Sequence, residues 1–232
     1  MLLYYIRHGE PIYDPDMLTE LGKRQAEAAA ERLAPAGIEK IYASTSNRAI
    51  QTARPLCERL GMDPELLDWC HEGHAWDELT LINKRGEKVW AESDPDSLRL
   101  FARPEVRALG RKWYAHPAFA STRYGEGMER IQRETDAFLL SLGYRHDLEN
   151  NCFFEENPQY EKVALFAHGG TGAAVMSCLL DIPYPMFAPR FSLNHTGIIV
   201  VRFQAEEGIV FPRVLTYSET AHLYRDDLAF PW

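Results

Sequence analysis

Short unbroken apolar runs alternate along this chain with stretches whose apolar residues recur every three to four positions. The runs at 2–6 (Leu-Leu-Tyr-Tyr-Ile), 41–43 and 163–167 (Val-Ala-Leu-Phe-Ala) read as buried strands. A further short strand is expected just before Leu67, and 197–203 with 209–215 read as a late strand pair joined by Glu206-Glu207-Gly208. Thr19 is placed to cap a helix reaching Leu33, with Leu21, Ala28 and Leu33 on its buried side. Ser46 is placed to cap the clearest helix, whose apolar set is Ala49, Ile50, Ala53, Leu56, Cys57 and Leu60, ending at Gly61. Ile131, Thr135, Phe138, Leu139 and Leu142 mark another helix, stopped by Gly143, and 171–180 a fourth that starts at a glycine pair.

Alternating strands and helices predict an α/β fold, a three-layer sandwich with a mainly parallel sheet flanked by helices. Its 232 residues suit one large domain, 1–232. The stretch at about 70–125 is less regular and rich in Trp, Arg and His. It reads as a mostly helical insertion over the strand ends and the active site.

A net charge of −9 disfavours nucleic acid or an anionic membrane as partner, yet leaves room for a local cationic pocket. Cys57, Cys70, Cys152 and Cys178 are scattered with no CxxC pair, so reduced thiols in a cytoplasmic protein are expected. Arg7 ends the first apolar run too early for a signal peptide or a membrane span. Oligomeric state is left open, with a homodimer allowed.

The chemistry gathers at strand ends, where open α/β sheets place their ligands. The first strand runs into Arg7-His8-Gly9-Glu10, the strand at 163–167 into His168-Gly169-Gly170, and the one at 41–43 precedes Arg48 in a helix's first turn. Two guanidiniums converging on one point need an anion between them, and arginine matches phosphate in bidentate fashion. An imidazole beside them has its charged form disfavoured and stays neutral, hence nucleophilic. The combination is suited to in-line phosphoryl transfer through a phosphohistidine, with Arg7, Arg48 and His168 meeting the charge on the equatorial oxygens. The leaving alkoxide needs a proton, so a carboxylic acid is required nearby. Glu72, between Trp69 and Trp76, is the first choice, with Asp77 and Asp68 in reserve.

Taken with Leu18-Thr19-Glu20-Leu21-Gly22, Gln25-Ala26, Tyr42-Ala43-Ser44, Arg48-Ala49-Ile50-Gln51-Thr52-Ala53, the 194–201 stretch and Thr220-Ala221-His222-Leu223, these pieces resemble the histidine phosphatase superfamily, which includes cofactor-dependent phosphoglycerate mutases. The resemblance implies a phosphoglycerate mutase-like fold, His8 as the phosphorylated residue, and Arg7, Arg48 and His168 as phosphoryl ligands. It implies no metal, and no cofactor is expected. Gly9 and Gly169 count with them as residues binding a small phosphorylated substrate. The family usually has Thr after Arg-His-Gly-Glu and Asn three positions on, where this chain has Pro11 and Asp14. Asp14 has the wrong charge for phosphate and either points elsewhere or reads a hydroxyl or amine on the substrate.

The expected function is therefore a phosphomonoester phosphatase. A phosphoglycerate mutase-type phosphotransfer is the first alternative. It is set second because Lys84, Arg85, Lys88, Arg111 and Lys112 lack the proline pattern of the basic insertion that the family's mutases carry. A non-catalytic phosphate-binding module is the second. His71-Glu72-Gly73-His74 has its histidines three apart with a glycine between, unlike a zinc helix. Gly170-Thr171-Gly172 lacks the third glycine of a dinucleotide loop, and no Gly-x-Ser-x-Gly accompanies His168-Gly169-Gly170, which removes an esterase.

Overall fold

Six strands form the central sheet in the spatial order Arg213–Glu219, Ile198–Arg202, Leu2–Arg7, Lys162–Ala167, Lys40–Ser44, Glu65–Leu67. The computed structural model describes residues 1–226 and 228. Leu2–Arg7, Lys162–Ala167, Lys40–Ser44 and Glu65–Leu67 pair in parallel, while Ile198–Arg202 runs against both of its neighbours. Side chains alternate between the two faces of these strands. Leu3, Tyr5, Val163, Leu165 and Ala167 join the core on one face, and Tyr4, Ile6, Ala164 and Phe166 the core on the other. Both faces being buried is why the sequence shows unbroken apolar runs instead of alternation.

Helices Glu20–Leu33 and Asn47–Leu60 cover one face. Tyr124–Ser141 and Gly169–Leu180 cover the other. Thr19 caps the first helix as expected, its hydroxyl accepting from Gly22 N–H at 2.9 Å. Ser46 does not cap the second: its hydroxyl makes no capping bond, and Asp16 from a distant turn takes the Asn47 N–H at 2.7 Å. Gly61 ends that helix in the left-handed conformation, φ 65°.

The structure adds detail to the other expectations. The stretch after 209 is not one strand, because Ile209–Val210 leaves to pair with Phe153 and Phe154 in a second sheet while Arg213–Glu219 returns to the central one. That second sheet is built from Tyr144–Asp147, Cys152–Glu155 and the pair Ala205–Glu206 and Ile209–Val210, of which the first two strands were not foreseen. The middle stretch is mostly short helices but also holds a hairpin, Thr80–Ile82 with Lys88–Trp90. The fourth helix starts at Gly169, two residues before the position expected. Among the described residues no helix is long and apolar enough to cross a membrane.

Candidate active site

Register brings the two histidines together. Arg7 pairs with Ala167 across adjacent parallel strands, so His8 and His168 leave the same sheet edge side by side. The His8 N–H donates to Ala167 O at 2.9 Å, and the imidazole centroids lie 5.2 Å apart. Ser44 ends the next strand over and meets His168 Nε2 at 2.8 Å.

The hydrogen bonds fix both tautomers. His8 Nδ1 lies 2.7 Å from the Gly9 carbonyl, which can only accept. The Nδ1 therefore carries the proton and Nε2 the lone pair, and that Nε2 is buried without a hydrogen-bond partner. At His168 the roles are reversed. Arg48 Nη2 can only donate and lies 3.2 Å from Nδ1, so Nε2–H donates to Ser44. Burial, then the neighbouring charge of Arg7, holds His8 well below the usual histidine value. Burial, then His8 and Arg48, does the same to His168. Both lowered values leave the rings neutral at pH 7.

The cations surround them. Arg48 is buried in the first turn of its helix and bonds Asp16 Oδ1 through Nη1 at 2.7 Å. Arg7 donates from Nη1 to Leu193 O at 2.6 Å. The Nε atoms of both arginines are buried without partners. Glu72 opens the short helix Glu72–Glu78. Its Oε1 accepts from Gly170 N–H at 2.9 Å. Its Oε2 lies 3.4 Å from Arg48 Nη2 and 3.6 Å from His168 Nδ1. One ligating atom from each of His8, Glu72 and His168 falls within 4.8 Å of the others, so all five expected catalytic residues converge at this edge. The reserves do not: Asp77 pairs with Lys88 and Asp68 with His74, both exposed.

The local motifs brace this edge. Gly9 and Gly22 touch back to back, where a Cβ at Gly9 would sit 2.6 Å from Gly22 O. Thr52 Oγ1 accepts from Gly9 N–H at 3.0 Å and donates to Arg48 O at 2.7 Å, and Gln25 Oε1 accepts from Glu10 N–H at 2.9 Å. The second glycine pair makes room for two side chains: a Cβ at Gly169 would lie 3.2 Å from Arg7 Nε, and one at Gly170 2.5 Å from the Trp90 ring.

A family model described as the histidine phosphatase superfamily, branch 1, matches residues 3–211. The chain belongs to that superfamily.

A probable phosphoglycerate mutase of Yersinia pestis is 26% identical over 235 residues, covering 95% of this chain and 94% of that one. A mycobacterial glucosyl-3-phosphoglycerate phosphatase superposes with a TM-score of 0.58 at 21% identity, over 94% of this chain and 98% of that one. A phosphoserine phosphatase variant from Entamoeba histolytica, bound to phosphoserine, does so with a TM-score of 0.60 at 20% identity, over 96% and 98%. These likenesses establish a shared fold, and substrate choice has to be argued from the site itself.

The acid set against Arg48 is Asp16, while Asp14, one of the departures from the superfamily's usual pattern, lies exposed nearby. Sequence reasoning also missed His195, whose ring is 5.6 Å from His8 and which burial, then Arg7, lowers to about 3. Its signal was topological. Thr196 N–H donates to Arg7 O at 3.0 Å, because the strand it leads into lies beside the first and so starts where the first ends. A cavity of ≈ 440 Å³ opens from the cluster, lined by Tyr13, Arg48, His71, Glu72, Trp76 and Trp90 among others. A larger one, ≈ 580 Å³, lies against Ser177 and Cys178 toward the far end of their helix and shares no lining residue with the cluster.

Proposed function

We propose that the protein is a phosphomonoester hydrolase working through a phosphohistidine on His8. His8 Nε2 attacks phosphorus as the ester P–O bond breaks, and Glu72 gives its proton to the leaving alkoxide. A water then attacks the phosphohistidine, passes a proton to Glu72, and the P–N bond breaks to release phosphate and neutral His8. Arg7, Arg48 and His168 meet the charge on the equatorial oxygens, where removing one such donor typically costs about 3 kcal/mol of barrier. The observation that carries this reading is the His8–Gly9 bond: it leaves a buried, unprotonated Nε2 without a partner, next to guanidinium Nε atoms that also lack partners. Buried polar groups left unpaired are costly, and a tetrahedral dianion would supply the missing acceptors.

Turnover of an aryl phosphate, a labelled acid-labile histidine phosphate trapped in an acid-free quench, and loss of both in His8→Ala are expected. Binding of phosphate esters without turnover by the unmutated protein would instead make it a phosphate-binding module. The likeness to the probable phosphoglycerate mutase of Yersinia pestis favours a second reading, a mutase, which shares the first half-reaction but returns the phosphoryl group to another substrate oxygen. Isomerisation of 3-phosphoglycerate in the presence of bisphosphoglycerate, without phosphate release, would establish it.

The reaction is proposed to need no metal. The His168 Nδ1 lone pair faces Arg48 Nη2, and two guanidiniums beside the His8–Glu72–His168 group oppose a further cation there. Chelators should leave the rate unchanged, and a loss restored by a divalent ion would overturn this. Four scattered, buried free thiols support a cytosolic setting for the reaction.

A further inference from the structure

We infer that the site takes phosphomonoesters whose leaving alcohol carries an uncharged aromatic group, and disfavours those bearing a second anion. This rests on the phosphatase reading above. Glu72 and Arg48 belong both to the phosphoryl cluster and to the wall of the ≈ 440 Å³ cavity, so the cavity continues from the point where the leaving oxygen is protonated. A leaving group must lie in it.

Its remaining walls are largely rings. Trp76 and Trp90 meet edge to face with centroids 5.2 Å apart. Tyr13, in the same wall, has the Arg48 guanidinium 5.3 Å from its ring centroid and is 66% exposed. Trp90 is fixed at the phosphoryl end. Its six-membered ring sits on Gly170 so closely that any side chain there would collide with it, and Gly170 N–H is the group that holds Glu72. The wall that would contact a leaving group is therefore tied to the acid that would protonate it. Such amphipathic rings take planar apolar groups by edge-to-face and offset stacking.

The charge points the same way. Among the described residues, Arg48 is the one arginine or lysine lining the cavity, and its terminal nitrogens already face Asp16, Glu72 and His168. A carboxylate or second phosphate on the leaving group would find no guanidinium of this wall left to pair with, because Arg48 is engaged by these groups and by the phosphoryl oxygens. Lys88, stacked on Trp76, is tied to Asp77 at 2.8 Å.

Benzyl phosphate, glycerol 3-phosphate and 3-phosphoglycerate test this, because all three leave as alkoxides and differ in what the alkoxide carries. Phosphate release by the unmutated protein should show kcat/KM at least about tenfold higher for benzyl phosphate than for either other ester, expressed mainly in KM. Trp76→Ala and Trp90→Ala should each shrink that preference about fivefold or more, and Trp90→Phe, which keeps a ring, should restore most of it. Melting temperatures of the variants identify any that fail to fold. Turnover of all three esters with no aromatic preference, or with 3-phosphoglycerate favoured, overturns this inference and leaves the phosphatase reading standing. Phosphate release from none of them, with no label on His8, overturns both.

Discussion

Asp16 holds Arg48 and the helix that carries it at once: Oδ1 lies 2.7 Å from Arg48 Nη1, and Oδ2 accepts the Asn47 N–H at 2.7 Å. One carboxylate thus serves as helix cap and as the orienting partner of an arginine proposed to bind the phosphoryl group. Asp16→Ala should cost about 1 kcal/mol of stability through the lost cap and lower kcat/KM about tenfold as the guanidinium gains freedom. Asp16→Asn can still cap, so it should recover the stability but not the rate. Thermal melts alongside steady-state kinetics separate the two, and an Asn variant with unmutated kinetics would refute the orienting role.

Glu72 is proposed to donate the proton, and Gly170 N–H fixes where it does so. Glu72→Gln keeps the shape and the acceptor oxygen but has no acidic proton to give. Alkyl phosphates, whose alkoxides leave poorly, should slow by about 10²–10⁴-fold, whereas p-nitrophenyl phosphate should slow far less. A plot of log rate against leaving-group pKa should steepen in the variant. Equal slowing across the series would place the acid elsewhere.

The helix beginning at Glu72 is anchored from behind. Arg130 grips Glu78 through Nε and Nη2 at 2.7–3.0 Å and donates to Trp69 O at 2.9 Å, with both side chains largely buried. Gly127 allows this approach, since a Cβ there would sit 2.6 Å from Glu78 Cβ. Removing one member strands the other charge, so Arg130→Ala should cost about 3–5 kcal/mol. Replacing both by a Leu–Met pair should cost much less. Urea midpoints of the two variants check this, and equal losses would show that the bonds of the pair itself, and not a stranded charge, carry the stability.

How much of this was legible in the sequence follows from which interactions are local. Strand runs, Gly61 and the Thr19 cap depend on neighbours in the chain, and they were readable. His8, His168 and Arg48 were readable because strand ends in a parallel sheet share one edge, so the topology brings distant residues together. Asp16 was not, because Ser46 is the better local cap and only the fold carries Asp16 onto Asn47. His195 was hidden by the direction of its strand: a residue preceding a strand reaches the active edge only when that strand runs antiparallel. The departure of Ile209–Val210 into a second sheet depends on its pairing with Phe153 and Phe154, far back in the sequence. Trp90 is legible only in retrospect, as the reason that Gly170 has no side chain.

The buried histidines set the acid stability. His8, His168 and His195 are all held below the ordinary histidine value of about 6.5, His195 at about 3. At any pH between the folded and unfolded values the unfolded chain holds more protons than the folded one. Stability therefore rises with pH across that window, is complete above about 6.5, and is lost as the pH falls toward the folded values. Each such ring contributes a slope of about 1.4 kcal/mol per pH unit inside the window. Carboxylates with lowered values act in the same sense, but their windows lie below about 4.5; Glu92, raised by burial, acts in the opposite sense, and the three histidines outnumber it between pH 6.5 and 5. Urea unfolding at pH 7.5, 6 and 5 should show stability level at the first and falling through the others. His195→Gln should flatten that fall by the slope of one proton. Stability unchanged from pH 7.5 to 5 would mean that these rings take up protons while folded, with folded values no lower than the ordinary one.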